Sequence, residues 1–261
     1  MLKLGIACAL CALGWGLEAK PARPGPNAGR TAVMVDNCHP EKSGFVALTR
    51  NALKRAGFTV VELSRNSTAA AVAARLRGAS VVVFQGAGFS SARVSAAKKP
   101  LYRAAARRRA AFERLGLGEA RKQHKPLFGI CRGAQQINAA FGGSVRKWQA
   151  TVRRKVNKPI AHRQRAAGRR ATHTITIDPN SRFARVVKHR TWGVNSFHDY
   201  AVSKVAKGFR VVATTADGVV EAIEGVGYPA FAVQFHPEMR SAGDRESQAI
   251  FDRLMELVTV R

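Results

Sequence analysis

The stretch PLFGICRGAQQINAAFGG at residues 126–143 decides the fold, because its hydrophobic pattern changes period halfway along. Leu127, Phe128 and Ile130 form a short apolar run of the kind shown by a buried parallel strand. Ala134, Ile137 and Phe141 then recur at i, i+3 and i+7, one face of a helix, with Gly142 and Gly143 as its stop. Cys131 stands at the joint. Unpaired amides and the positive dipole end of a helix N-terminus favour the thiolate there, the reactive form of cysteine. Gly129 and Gly133 allow a tight turn and close approach of a substrate. On this stretch alone a reactive cysteine and an inert buried one stay equally open.

Upstream, strand and helix patterns alternate. TAVMVD (31–36) reads as a strand, followed by a helix at about 42–56 with Phe45, Leu48 and Ala52 on one face and Gly57 as its end. FTVVEL (58–63) is a second strand, an alanine-rich helix covers about 68–77, and SVVVFQ (80–85) is a third strand. Such alternation predicts a parallel sheet with helices on both faces and a ligand site beyond the carboxyl ends of the strands. The QGAGFSS segment after the third strand exposes backbone amides at that edge, a weak signal by itself. An arginine-loaded helix at 100–115 then precedes the Cys131 turn.

Downstream, periodicity breaks down over 144–170. A solvated basic loop is favoured there over a lid or a partner-binding arm. THTITID (172–178) restarts strand periodicity, and RVVATTADGVVEAIE reads as two strands joined by an Asp217–Gly218 turn. FAVQF (231–235) is a further strand, ending in His236, Pro237 and Glu238. A final helix at 244–258 places Phe251, Leu254 and Val258 on one face.

The chain of 261 residues suits one large α/β domain, and its 46% hydrophobic content argues against overall disorder. A net charge of +28 suggests an anionic partner such as nucleic acid or lipid. The basic residues are spread along the chain without interleaved aromatics, so a solvated basic surface is the favoured reading. Residues 1–19 read as a signal peptide or N-terminal anchor with an ill-defined cleavage site, which predicts a secreted, periplasmic or anchored protein, with a cytoplasmic one as the alternative. Residues 20–30 are a Pro/Gly-rich linker, and 31–261 form the catalytic domain. Cys8, Cys11, Cys38 and Cys131 make no metal-site spacing with histidines and no disulfide framework, and neither metal nor cofactor is expected.

Cysteine attack on an acyl group needs a base for the thiol proton, a group that orients the base, and amides for the oxyanion. His236 follows a buried strand. Glu238 lies two residues on, on the same side in extended chain, where it would hold the imidazole in one tautomer.

In order and spacing, GICRG with QQINAAFGGS, then VNSFHDYAV, DGVVEAIE and FAVQFHPE resemble the class I (triad) glutamine amidotransferase superfamily. Within it they most resemble the gamma-glutamyl-gamma-aminobutyrate hydrolase branch, over roughly residue 31 to the C-terminus. The resemblance implies a flavodoxin-like three-layer α/β/α sandwich with a mostly parallel central sheet and a small additional antiparallel sheet. It implies Cys131 as nucleophile, His236 as acid/base and Glu238 as orienting carboxylate. The amide of Arg132 and one from Gly86 or Ala87 would form the oxyanion hole, with Asn195, Ser196 and His198 as substrate contacts. The implied reaction cleaves a small gamma-glutamyl amide through a thioester. Alternatives are a glutaminase that feeds ammonia to a separate synthetase, or a basic binding protein on a weakened catalytic fold. The sequence departs from relatives at QGAGFSSARVS, which lacks their paired glycines and acid, and at Asp199, where they carry a second histidine. His162 and His173 are assigned no role.

Overall fold

The computed structural model describes residues 25–38, 44–87, 94–157 and 160–260. The expected signal segment and residues 20–24 of the expected linker lie outside the described residues. The expected alternation is present as β1 (Thr31–Val35), α1 (Gly44–Arg55), β2 (Thr59–Leu63), α2 (Ala69–Arg77), β3 (Val81–Phe84), α3 (Lys99–Lys122), β4 (Leu127–Ile130) and α4 (Arg132–Ala140). There follow β5 (Ser144–Lys147), β6 (His173–Ile177), α5 (Arg182–Val187), β7 (Thr191–Val194), β8 (Tyr200–Lys204), β9 (Phe209–Thr215), β10 (Val220–Gly225), β11 (Ala230–Val233), α6 (Arg245–Asp252) and α7 (Leu254–Val258).

Nine strands form one sheet in the order β2-β1-β3-β4-β11-β10-β9-β6-β7, and β5 pairs with β8 in a separate antiparallel ribbon. The β2-β1-β3-β4-β11 half is parallel throughout, and from β11 onward every pairing is antiparallel. Inside the edge strand β2, the parallel strands are buried on both faces, and alternate residues feed different cores. Ala32 and Met34 of β1 join Leu53, Phe128, Phe231 and Phe251 on one side. Val33 and Val35 join Leu76, Phe84, Phe112 and Ile137 on the other. This period-two partition needs apolar residues at every position, which is why these strands read as continuous apolar runs. The result is the three-layer α/β/α arrangement with a small antiparallel sheet. No helix among the described residues is long and apolar enough to cross a membrane.

Three expectations need correction. Helix α3 does not stop at 115 but continues through Gly116 and Gly118. A Cβ at Gly116 would meet Val35 Cγ2 at 3.5 Å and Phe84 Cε1 at 3.6 Å, so this glycine marks close helix–sheet approach, not a helix end. The final helix is two, divided at Arg253. The 144–170 stretch is not simply a solvated loop: it contributes β5, a single 3₁₀ turn at Trp148–Thr151, and the fully buried His162. Side-chain hydrogen bonds hold much of it. Gln164 Nε2 donates to the carbonyls of Ala166, Ala167 and Arg170, and its Oε1 accepts from Thr172 Oγ1 and the Ser196 amide. Hydrophobic periodicity carries no trace of such bonds.

Candidate active site

Four segments converge beyond the carboxyl ends of adjacent parallel strands: Asn37 and Cys38 after β1, Gly86 and Ala87 after β3, Cys131 after β4 and His236 after β11. Open α/β sheets bind ligands on this side, near the point where strand order reverses between β1 and β3.

Cys131 is the residue between β4 and α4, with φ 51° and ψ −104°. An L-residue at positive φ outside the left-handed helical well is strained, and the surrounding structure must hold it there. The flanking glycines provide that hold. A Cβ at Gly129 would lie 2.7 Å from the Ala134 amide nitrogen, and one at Gly133 would lie 1.9 Å from the Phe84 carbonyl oxygen. Helix α4 therefore packs directly onto β4 and β3, and the chain has no room to relax at Cys131. Gly133→Ala is expected to cost about 3 kcal/mol or more of stability, since the clash is with backbone at the end of β3. Urea unfolding checks this; a midpoint equal to wild type would show that the helix can shift freely.

His236 Nδ1 and Glu238 Oε1 are 2.7 Å apart, both residues being buried. The ring is a neighbour of Cys131: His236 Cε1 and Nδ1 and Cys131 Cβ all lie within 4 Å of the point where a Cβ on Gly86 would stand. Burial alone would push the imidazole toward neutrality. The Glu238 carboxylate and the Cys131 sulfur outweigh it and raise the pKa of His236 to about 10, so the ring is cationic at neutral pH. Asn195 clamps this histidine from behind: its Oδ1 accepts from the His236 amide and its Nδ2 donates to the His236 carbonyl, both at 2.9 Å. Phe45 and Phe197 lie against the ring, with centroids 5.4 and 5.9 Å from it.

Gly86 reaches the same point. A Cβ there would be 2.8 Å from His236 Cε1 and 3.8 Å from Cys131 Cβ, so only a glycine lets this loop pass over the cysteine–histidine pair. The Ala87 carbonyl accepts from Arg109 Nη1 at 3.0 Å. Arg132, whose amide opens α4, makes a two-pronged pair with the buried Glu113, and Glu113 lies one turn from Arg109. One acid thus ties the loop after β3 to the start of α4. Burial first, then the neighbouring Arg132, lower Arg109 to about 10. Among so many arginines, nothing in the sequence marks this trio. The remainder of the QGAGFSS loop, from residue 88 to 93, lies outside the described residues.

The structure thus brings Cys131, His236, Glu238, Gly86, Ala87 and Arg132 together. Asn195, Ser196 and His198, expected as substrate contacts, are buried, with polar atoms engaged inside the protein. Asn195 holds His236, Ser196 Oγ donates to the His162 carbonyl, and His198 lies between the Tyr200 carbonyl and Glu221. Phe197 between them faces the site instead. Cys38 is a free, fully buried thiol, and burial followed by the nearby Asp36 pushes it up to about 11, so it stays protonated.

Comparison with known proteins agrees with this geometry. The pattern of the family described as Peptidase C26 matches residues 29–238. Protein NtpR of Enterococcus hirae is 34% identical over 144 residues, 54% of this chain and 59% of that protein. The gamma-glutamyl-gamma-aminobutyrate hydrolase PuuD of Escherichia coli (strain K12) is 28% identical over 133 residues, 49% of this chain and 51% of that one. The chain thus matches between half and two thirds of the length of these relatives. Among solved structures, a glutamine amidotransferase of Thermotoga maritima superposes with a TM-score of 0.55 at 14% identity, covering 87% of this chain and 96% of that one. A Thermoplasma acidophilum protein described as a component of GMP synthase gives 0.62 at 17% identity, covering 88% and 94%. At such identities these two speak for the fold alone.

Proposed function

Because this chain belongs to the Peptidase C26 family, we propose that it is a cysteine hydrolase cleaving the gamma-glutamyl amide bond of a small substrate, with Cys131, His236 and Glu238 as its triad. The observation that carries this reading is the 2.7 Å His236–Glu238 contact beside a cysteine on a strained strand–helix turn. Relatives add the substrate class, since PuuD is a gamma-glutamyl-gamma-aminobutyrate hydrolase.

In the proposed reaction the Cys131 sulfur attacks the side-chain amide carbonyl. The Arg132 amide and that of Gly86 or Ala87 stabilise the oxyanion. The His236 imidazolium gives its proton to the leaving amine, and the C–N bond breaks to leave a thioester on Cys131. The now neutral His236 then takes a proton from water, whose oxygen attacks the thioester carbonyl; the C–S bond breaks, glutamate is released, and the Cys131 sulfur and the protonated His236 are restored. Glu238 holds Nδ1–H throughout.

The test is a panel of gamma-glutamyl amides, glutamine included, incubated with wild type and with Cys131→Ala while glutamate release is followed. Wild type is expected to release glutamate from at least one member and to form a covalent adduct with a glutamine-like electrophile, and the variant to do neither. A folded wild type that turns over no member and forms no adduct would overturn the proposal.

A further inference from the structure

Away from the triad, on the antiparallel half of the sheet, three imidazoles surround one buried carboxylate oxygen. Glu221 Oε1, on β10, lies 3.3 Å from His162 Nδ1, 3.4 Å from His173 Nε2 on β6, and 3.3 Å from His198 Nε2. All four side chains are at least nine-tenths buried. The proposed chemistry at Cys131 uses none of them.

Hydrogen bonding explains only part of the cluster, namely the 3.3 Å contact of His198 Nε2 with Glu221 Oε1. His162 Nδ1, both nitrogens of His173 and Glu221 Oε2 have no partner of hydrogen-bonding geometry although all are shielded from solvent. Buried polar atoms are rarely left so, because each forfeits its hydration. His198 shows the problem most clearly. Its Nδ1 is 3.0 Å from the Tyr200 carbonyl, which can only accept, so Nδ1 carries a proton. With the proton on Nδ1, a neutral ring turns the Nε2 lone pair toward Glu221 Oε1, 3.3 Å away. A lone pair facing an anion at 3.3 Å calls for a cation between them.

We propose that His162 Nδ1, His173 Nε2, His198 Nε2 and Glu221 Oε1 bind a divalent transition-metal ion, with Zn2+ the best match. In a tetrahedral zinc site the metal–ligand bonds are about 2.0–2.1 Å, which places neighbouring ligand atoms about 3.3–3.4 Å apart. The three N···O separations already equal that edge. Ligand atoms of His162, His173 and Glu221 lie within 4.8 Å of one another, and His198 stands outside that group, 3.3 Å from Glu221 Oε1, so its ring would have to move inward to complete the site. Three nitrogens and one carboxylate oxygen are a donor set suited to zinc.

Metal-bound histidines usually donate from their second nitrogen to a carboxylate or carbonyl, and two of the three histidines here have such a partner, His173 Nδ1 having none. His162 Nε2 is 3.1 Å from Asp217 Oδ2, and Asp217 is itself held by Thr215 Oγ1 at 2.5 Å. His198 Nδ1 meets the Tyr200 carbonyl. The Trp148 ring, 4.9 Å from that of His162, shields one side. With four protein ligands and no exposed position the site is structural. It joins the segment around residue 162, which lacks regular secondary structure, to β6, β10 and the loop before β8. Spacing in the sequence gives no sign of it, since the ligands are 11, 25 and 23 positions apart. The competing occupant is a proton on His162, whose pKa is raised because Glu221 and Asp217 outweigh its burial.

The test uses the full untagged chain. Elemental analysis after exhaustive dialysis is expected to show about one zinc per chain. After chelation, Co2+ is expected to restore one equivalent with the visible absorption of tetrahedral cobalt and no thiolate charge-transfer band. Zn2+ at about a thousandfold excess over Kd is expected to raise the melting temperature of the stripped protein by roughly 10 °C. Cys131→Ala should keep the metal, whereas Glu221→Gln and His173→Gln should lose it. Should those two variants fail to fold, the wild-type zinc content and cobalt spectrum decide. Dialysed wild type without stoichiometric metal and without a cobalt spectrum would leave the proton as the occupant and overturn the proposal. So would metal lost in Cys131→Ala or retained in folded Glu221→Gln and His173→Gln. None of these readouts depends on turnover, so they stand apart from the hydrolase proposal.

Discussion

Cys131→Ala is expected to lower kcat/KM on any accepted gamma-glutamyl amide by at least about 10⁴-fold, since among the described residues no other thiol is placed to replace it. Cys38, the other cysteine among the described residues, is fully buried and protonated. The same position makes a second, opposite prediction about stability. With φ 51° and ψ −104°, Cys131 occupies backbone space that a Cβ disfavours, at a cost of about 1–3 kcal/mol. Removing the Cβ should release that strain. Cys131→Gly is therefore expected to be as inactive as Cys131→Ala yet more stable than it, by about 1 kcal/mol. At an ordinary helix-adjacent position alanine is the more stable of the two, because glycine loses more backbone freedom on folding. Urea midpoints of the two variants settle the matter, and an alanine variant more stable than the glycine variant would show that the turn carries no strain worth releasing.

The half of the fold that carries the nucleophile is legible in sequence for a physical reason. Strands β1, β3 and β4 are buried on both faces and must be apolar at every position, and the helices between them must bury one stripe. Local composition therefore reports the architecture directly. The proposed triad is legible because Cys131 directly follows β4, and His236 and Glu238 come within five residues of the end of β11. Elements held by polar bonds are less so. The segment around His162 depends on Gln164, Thr172 and Ser196, and β5 and β8 pair across more than fifty residues of chain. The roles of Asn195 and His198 depart from expectation for a related reason. VNSFH alternates between two environments, so that Phe197 faces the triad while Ser196 and His198 turn into the protein. A motif identifies such residues as important without revealing which side of the strand end each one serves. Phe45, Arg109 and Glu113 act on the site through contacts that no local pattern encodes.

Glu238→Gln is expected to lower kcat/KM at neutral pH by roughly 10²–10⁴-fold and to move the alkaline limb of the pH profile toward lower pH. Glutamine keeps the shape of the side chain and can still accept from His236 Nδ1–H, so the ring stays in place. What it removes is the negative charge 2.7 Å from the imidazole. In the wild type that charge, with the Cys131 sulfur, overcomes burial and raises His236 to about 10, so that the proton needed by the leaving amine is present up to strongly alkaline pH. With the charge gone, burial acts against a weaker opposition, the folded-state pKa falls, and the proton is lost at lower pH. Stability should report the same change. A histidine whose folded pKa lies above its unfolded value near 6.5 stabilises the fold fully below that value and loses the contribution as pH rises through the folded pKa, here about 10. The wild type should therefore lose more stability than the variant between about pH 6.5 and 10. Rate profiles and urea midpoints across that window test both consequences. Coincident alkaline limbs, or parallel stability curves, would mean that Glu238 positions the ring without setting its charge.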